Sequence, residues 1–336
     1  MDTLTHIALG ACMGEALAVK KLGKKAMLLG IIAHSLPDID FVASFWLPTA
    51  DSLLAHRGIS HSILFVLLVS PMLAWISKRI FKEAQISFIR WTFFYFVCIS
   101  MHIILDAFNN YGVGWFEPFT NQRIAFNIIY VLDPFFSIVP IIAAIVLLVI
   151  KQDRYIRKFW WKAGLIFSLV YLIYCSYNKM LIDEKVKNAL DTDQLVANRI
   201  LTTPAPLQNW LWFVAAEVND GYYAGYVSVF NKKLKKQFTF FPRNDSLLSL
   251  LPDNSEAEKL IKFSQGYYTV EKSGDTILIN DLRFGQVTGW EDPFQRFAFY
   301  YYLQPAVDNA LVVQRGRFAN WNKRTFRSFI RSIKEN

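Results

Sequence analysis

The sequence predicts a mainly α, polytopic helical membrane domain over residues 1–180, followed by a β-rich α+β extramembrane domain over residues 181–336. Three observations carry that expectation. Hydrophobic residues fill 54% of the chain and charged residues only 19%, against roughly 25% charge in ordinary soluble domains. The long apolar runs end near Tyr177, and charged, turn-rich sequence follows. Basic residues gather at the ends of the apolar runs, so the formal charge of +9 is assigned to membrane topology and no nucleic-acid partner is expected.

The membrane domain is expected to hold about six segments: Leu4 to Val19, Ala26 to Leu36, His61 to Ile76, Phe88 to Leu105, Ile124 to Ile150 and Trp161 to Tyr177. The second falls well short of the roughly 20 residues of a full span, so it is re-entrant, shielded by its neighbours, or extended through Leu36-Pro37-Asp38. Met1 to Ala18 lacks a basic leader and carries Asp2 and His6, so it is read as retained in the mature protein. Cys12, Cys98 and Cys175 lie apart inside apolar runs, which argues against disulfides or a thiolate metal site.

Lysine and arginine cluster at Lys20 to Lys25, at Lys78-Arg79 with Lys82, and between Lys151 and Lys162. Placing these alternate loops in the cytoplasm puts the N-terminus, the turns after the second and fourth segments, and the C-terminal domain outside. In that domain, strands are expected at Tyr222 to Phe230, Lys236 to Phe241, Tyr267 to Val270 and Thr276 to Ile279. Asn219-Asp220-Gly221 and Ser273-Gly274-Asp275 read as tight turns, and basic, aromatic Arg315 to Lys334 as a helix lying on the membrane or on the sheet.

All five histidines precede position 103, and each has an aspartate or another histidine close by. His34 and Asp38, like His102 and Asp106, stand one helical turn apart, and Asp2 and His6 repeat the spacing in reverse. His56-Arg57-Gly58-Ile-Ser-His61 follows, where Gly58 permits a bend turning both imidazoles to one point. In the topology above, these groups share one side of the membrane.

Imidazole and carboxylate together suit zinc first, then manganese or iron. His6, His34, Asp38, His56, His61, His102 and Asp106 form the expected ligand set. They exceed what one ion with an open position needs, which favours two ions, or one ion with additional orienting aspartates. Asp40 is expected as a general base or an orienting group, and Arg57 as a fork for a phosphate or carboxylate.

Plainer readings stand beside these. His6 is also an interfacial residue and Asp2 a helix cap, while Asp38 and Asp40 also suit a turn after Pro37. Arg57 also suits a salt bridge to Asp38, Asp40 or Asp51, and Asp133 a buried pair with Arg123 as readily as a further ligand. Asn109, Asn110, Gly112 and Gly114 form a loop that contacts substrate or, the favoured reading, reverses the chain, and Trp160-Trp161 and Tyr300 to Tyr302 read as anchors and sheet packing.

Thr5-His6, His34-Ser-Leu-Pro37-Asp38-Ile-Asp40, His56-Arg57-Gly58-Ile-Ser-His61-Ser62, and His102-Ile-Ile-Leu-Asp106 with Asn109-Asn110-Tyr-Gly112 resemble, in order, the bacterial membrane-bound metal-dependent hydrolases often called YdjM-like. The resemblance covers about the first 120 to 150 residues. It implies a helical membrane domain, a divalent-metal hydrolase activity, and a distant likeness to the zinc phospholipase C and nuclease fold. It says nothing of the C-terminal domain.

The expected function is therefore a membrane-bound metal-dependent hydrolase acting at the outer surface on a phosphoester of a lipid or lipid-linked molecule. A metal or proton transporter, with ligands at mid-membrane depth, and a non-catalytic scaffold with a structural metal are the alternatives. Oligomeric state is not legible.

Overall fold

Residues Thr3–Leu22 form α1 and Lys25–Ser35 form α2, reversed at Gly23, whose φ is +61°. Small residues let these two backbones touch. A Cβ on Gly14 would stand 2.1 Å from the Ala26 carbonyl oxygen, and one on Gly30 would stand 2.2 Å from that of Gly10. Gly10 and Gly14 thus make a small-xxx-small face, a device that packs helices closely without relying on the hydrophobic effect. The same contact brings His34 of α2 against α1, with its Cβ 2.9 Å from where a Cβ on Gly10 would be.

The computed structural model describes residues 1–192, 194–231, 238–303 and 321–335. Contacts divide the chain into two units: Met1–Trp46 with Ala55–Tyr174, and Leu47–Leu54 with Cys175–Asn336.

In the first unit α2 runs into a 3-10 helix, Leu36–Phe45, so the short second segment becomes a 21-residue apolar stretch, Lys25–Phe45. Pro37 lies in the first turn of the new helix, where its missing N–H costs nothing. Helix α3, Thr49–Ala55, belongs to the second unit but for its last residue; in the first unit a 3-10 turn, Ile59–His61, leads to α4, Ile63–Ile80. Ser62 caps α4 by accepting from Phe65 N–H at 3.1 Å. Helix α5, Phe88–Ala107, packs on α4 through Trp91, Phe94, Tyr95 and Cys98 against Val66 and Ala74.

The chain then folds back over the end of α5. Phe126 N–H donates to the Ala107 carbonyl, Ile128 and Ile129 N–H to that of Phe108, and Trp115 Nε1 to that of Ile103. These bonds satisfy carbonyls that the helix end leaves bare.

The expected fifth segment, Ile124 to Ile150, is corrected here. Ile124 pairs with Val113 in an isolated bridge, and helix α6 covers only Pro134–Val149. Asp133 starts it by accepting from Phe135 and Phe136 N–H, with proline at the first position. Helix α7 is Arg157–Thr192. Among the described residues four stretches are long and apolar enough to cross a membrane: Lys25–Phe45, Ile63–Ile80, Phe88–Ala107 and Arg157–Thr192, with α6 shorter. The count of six is not reproduced by length and composition. A buried bidentate pair, Arg157 to Glu15 at 2.7 and 2.6 Å, joins the starts of α7 and the far half of α1.

In the second unit, β1 (Arg199–Pro204), β2 (Leu211–Val218), β3 (Gly221–Ser228) and β4 (Thr239–Pro242) form an antiparallel meander. A second antiparallel sheet holds β5 (Tyr268–Ser273), β6 (Thr276–Gln286) and β7 (Phe297–Tyr302). Alternation along β2 splits its side chains between two cores. Trp212, Val214 and Ala216 meet Ile182, Val186 and Leu190 of α7, whereas Leu211, Phe213 and Ala215 meet Leu282, Phe297 and the C-terminal helix.

Helix α8 is Ser255–Phe263, and α9, Lys323–Glu335, buries Phe329 and Ile333 in the sheet core. That places the expected basic helix on the sheet; its predicted beginning, residues 315–320, lies outside the described residues, as do residues 236 and 237 of an expected strand. Both expected turns are present, Gly274 with a φ of +62°.

Replacing Gly30 with leucine forces the α1–α2 backbones apart. We expect a loss of at least about 2 kcal/mol, within the usual range for overpacking, read as a lower thermal midpoint of the detergent-solubilised protein, with Leu28→Ala, at a position 58% exposed, as the control.

Candidate metal centre

Five elements converge on one buried point in the first unit: α1 supplies His6, α2 His34, the 3-10 helix after it Asp38 and Asp40, the Ile59–His61 turn His61, and α5 His102 and Asp106. His6, His34, His61, His102 and Asp106 are all fully buried. The ring nitrogens and carboxylate oxygens fall into two groups, each with atoms within 4.8 Å of one another: His6, His34 and His102; and Asp38, His61, His102 and Asp106. His102 belongs to both, and its ring stacks on that of His6 with centroids 3.9 Å apart.

Hydrogen bonding assigns the protons. His34 Nδ1 donates to the Cys98 carbonyl at 2.7 Å, so its Nε2 carries a lone pair. His6 Nε2 donates to Asp106 Oδ1 at 3.2 Å, so its Nδ1 carries one as well. These two bare nitrogens face each other at 3.3 Å, a contact that repels unless a proton or metal ion is shared.

The second group has the same character. His61 Nδ1 donates to Ser60 Oγ at 3.0 Å, with Asp40 Oδ2 at 3.3 Å, which turns Nε2 toward His102 Nε2 at 3.2 Å. Asp38 Oδ1 lies 3.6 Å from His61 Nε2 and 3.5 Å from His102 Nε2; Asp106 Oδ2 lies 3.5 and 3.8 Å from the same two atoms. A tetrahedral zinc site with ligands at about 2.0–2.1 Å has ligand–ligand edges of about 3.3–3.4 Å. The donor set therefore fits a small divalent cation in both chemistry and spacing.

Charge points the same way. Burial pulls the His61 imidazole down, but hydrogen bonds to Asp106, Asp38 and Asp40 more than offset it, and the group is pushed up to about 9. Metal-free, the point draws a proton. The Arg57 Nε and the Met1 amine also lie on Asp106, the former 3.1 Å from Oδ2.

Asp40 is the hub around this centre. Its carboxylate accepts from His56 Nδ1 at 2.8 Å, Arg57 N–H at 2.7 Å and Ser60 Oγ at 2.7 Å, besides its approach to His61. A carboxylate so occupied is placed to orient imidazoles; as a base its acceptor sites are already taken. His56 lies outside both groups, and its ring converges with that of His61 on Asp40. The left-handed residue in this turn is Arg57, with φ +61°, whereas Gly58 has φ −85° and is held to its size by Glu117 Oε2, 2.7 Å from where a Cβ would stand.

Arg57 pairs with Asp106, not with the three aspartates weighed from sequence, and Asp51 pairs with Lys259. Its Nη1 donates to Asn109 Oδ1 at 2.8 Å, so the loop after Asp106 positions the guanidinium. Asp2 caps α1 through Thr5 N–H at 3.0 Å, and Asp133 caps α6 and accepts from Tyr171 Oη at 3.1 Å. Arg123 donates to the His56 carbonyl. Sequence reasoning missed Ser60, the Cys98 carbonyl and Asn109; only Ser60 and Asn109 carried a signal, as polar residues inside or beside the histidine motifs.

Fold and cluster define a class, helical membrane proteins with a buried histidine–aspartate cluster able to hold a metal ion. Within it, the chain belongs to the YdjM inner membrane protein family, whose profile matches residues 1–182. It is similar to the inner membrane protein YbcI of Escherichia coli (strain K12), 30% identical over 122 residues, which are 36% of this chain and 69% of that protein. It is also similar to the uncharacterized protein YfhP of Bacillus subtilis (strain 168), 28% identical over 145 residues, 41% of this chain and 43% of that one. No solved structure matches.

Loss of an orienting carboxylate typically weakens metal affinity by about 10- to 100-fold. Asp40→Ala is expected to do so in a zinc competition titration of the purified protein while leaving every candidate ligand in place.

Proposed function

We propose that the protein is a metal-dependent hydrolase of the bacterial inner membrane, with zinc at one or two positions, acting on a lipid or lipid-linked phosphoester at the extracytoplasmic surface. The observation that carries this reading is the buried pair of facing imidazole nitrogens, His6 Nδ1 and His34 Nε2, beside a four-donor cluster with tetrahedral spacing. A cavity of about 660 Å³ reaches the cluster through Asp38, His56 and Arg57. An open side suits a reactive centre, since purely structural zinc sites are closed. The sidedness rests on the basic clusters at the opposite loops.

A bound divalent cation supplies Lewis-acid charge and activates water near neutral pH. The chain's own residues do the rest. His6, His34, Asp38, His61, His102 and Asp106 hold the charge. Arg57, kept in place by Asp106 and Asn109, has Nη2 without a hydrogen-bond partner among the described residues and meets an anionic phosphoryl oxygen. His56, half-exposed at the cavity with Asp40 behind its Nδ1, presents Nε2 to give or take a proton. Asp40 thereby acts through the two imidazoles it orients.

Elemental analysis of the detergent-purified protein tests this. Stoichiometric zinc, manganese or iron is expected in the wild type and its loss in His61→Ala and His102→Ala. His56→Ala is expected to keep the metal and to lower turnover of a soluble aryl phosphodiester by about 10²-fold, the usual scale for a general acid or base. A metal-free wild type, or metal content unchanged in both ligand variants, overturns the proposal.

A further inference from the structure

Two kinds of residue line the cavity beside the cluster. Asp38, His56 and Arg57 are ionisable, with Thr3 and Ser35 as further polar lining. Ile32, Leu36, Ile39 and Phe41 make an apolar wall. Ile32, Leu36 and Ile39 follow one another at helical spacing, so they share one face of α2 and its 3-10 extension. Ile32, Ile39 and Phe41 are 50%, 56% and 56% exposed, and the helix that bears them, Lys25–Phe45, is one of the stretches able to cross a membrane. The apolar wall therefore belongs to the lipid-facing part of the chain, and the volume falls within the usual range for a small-molecule site, about 300–1,000 Å³.

We infer that this groove seats the hydrocarbon tail of a membrane-resident amphiphile whose anionic phosphoester head lies against Arg57 and His56. The inference rests on the proposed hydrolase and narrows its substrate class. A tail along Ile32, Leu36, Ile39 and Phe41 leaves the bilayer sideways, so the head reaches the buried centre without the tail crossing water. Charge complementarity selects the head: Arg57 and the half-exposed His56 line the cavity, and Asp38, which lines it too, lies against His61 and His102 in the cluster. Ile39 and Phe41 are then specificity-determining residues, contacting only the tail.

The test uses the full chain in phosphatidylcholine nanodiscs with a hexadecyl phosphonate carrying a diazirine in its tail, followed by peptide mapping after illumination. Labelling is expected on residues 32–41, and unlabelled hexadecyl phosphonate in several-fold excess over its dissociation constant should lower it by at least about five-fold through mass action. Hexadecanol and methylphosphonate, each lacking one half of the amphiphile, should leave it within about two-fold at the same concentration, since a weaker competitor occupies less of the site. Ile39→Trp, which fills the groove from a lipid-exposed position, should lose the competed labelling with metal content unchanged. Labelling spread equally over α4 and α6, equal competition by hexadecanol, or competed labelling that survives Ile39→Trp overturns the inference. Competed labelling in a protein that holds no metal and cleaves no soluble phosphodiester sinks the hydrolase and leaves the groove standing; metal and cleavage with uncompeted labelling sink the groove alone.

Discussion

The membrane unit depends on one electrostatic constraint, the concentration of electron-rich atoms at a dry point where five elements meet. Two carboxylates, Asp38 and Asp106, offer oxygens within 4.8 Å of each other and of two imidazole nitrogens. At an effective dielectric constant of about 20, two such charges repel by about 3–4 kcal/mol, and the facing lone pairs of His6 and His34 add to it. Uncompensated, this is a large share of the roughly 5–15 kcal/mol that holds a domain together. Positive charge has to be there, and the chain supplies part of it through Arg57, which lies on Asp106. A divalent cation meets the same demand with a geometry that the donor spacing already matches.

The scaffold explains how such a point is held. Close approach of α1 and α2 at Gly10, Gly14 and Gly30 places His6 opposite His34 with no side chain intervening. On α5, His102 and Asp106 project together because they lie one turn apart, and the loop after Asp106 folds back to carry Asn109 to Arg57. Backbone packing thus fixes ring positions that the side chains' own hydrogen bonds then orient.

Much of the arrangement was legible because it rests on local periodicity. Helical runs at α1, α2, α4, α5 and the first part of α7 follow apolar segments, and the His102–Asp106 spacing survives in three dimensions. The parallel spacing of His34 and Asp38 did not translate: Pro37 starts a 3-10 helix, whose tighter turn sends Asp38 to one group and leaves His34 in the other. The bend in the His56 to His61 motif was assigned to glycine, the permissive residue, yet Arg57 takes the left-handed conformation, secured by Asp40 on its N–H and Gly114 on its carbonyl. Such tertiary bonds leave no trace in composition. The fifth helix was drawn ten residues too long because apolar Ile124 to Leu132 looks like a span, and only the Asp133-Pro134 cap marks its true start. Strands β2 and β7 went unmarked because, largely buried on both faces, they show little alternation, β2 being apolar at nearly every position, whereas β1 offers only Ile200 and Leu201 among polar residues and Pro204.

Asp40 separates the parts of this site that hold charge from those that meet a ligand. Were it a ligand, its oxygens would face the cluster; instead they are occupied by four donors from the segment between His56 and His61. That segment is thereby folded around one carboxylate, with His61 directed inward to the buried cluster and His56 outward to the cavity. A single residue thus turns one imidazole toward a cluster able to hold a cation and the other toward the open cavity, although the spacing of the two histidines reads in sequence as a shared ligand pair.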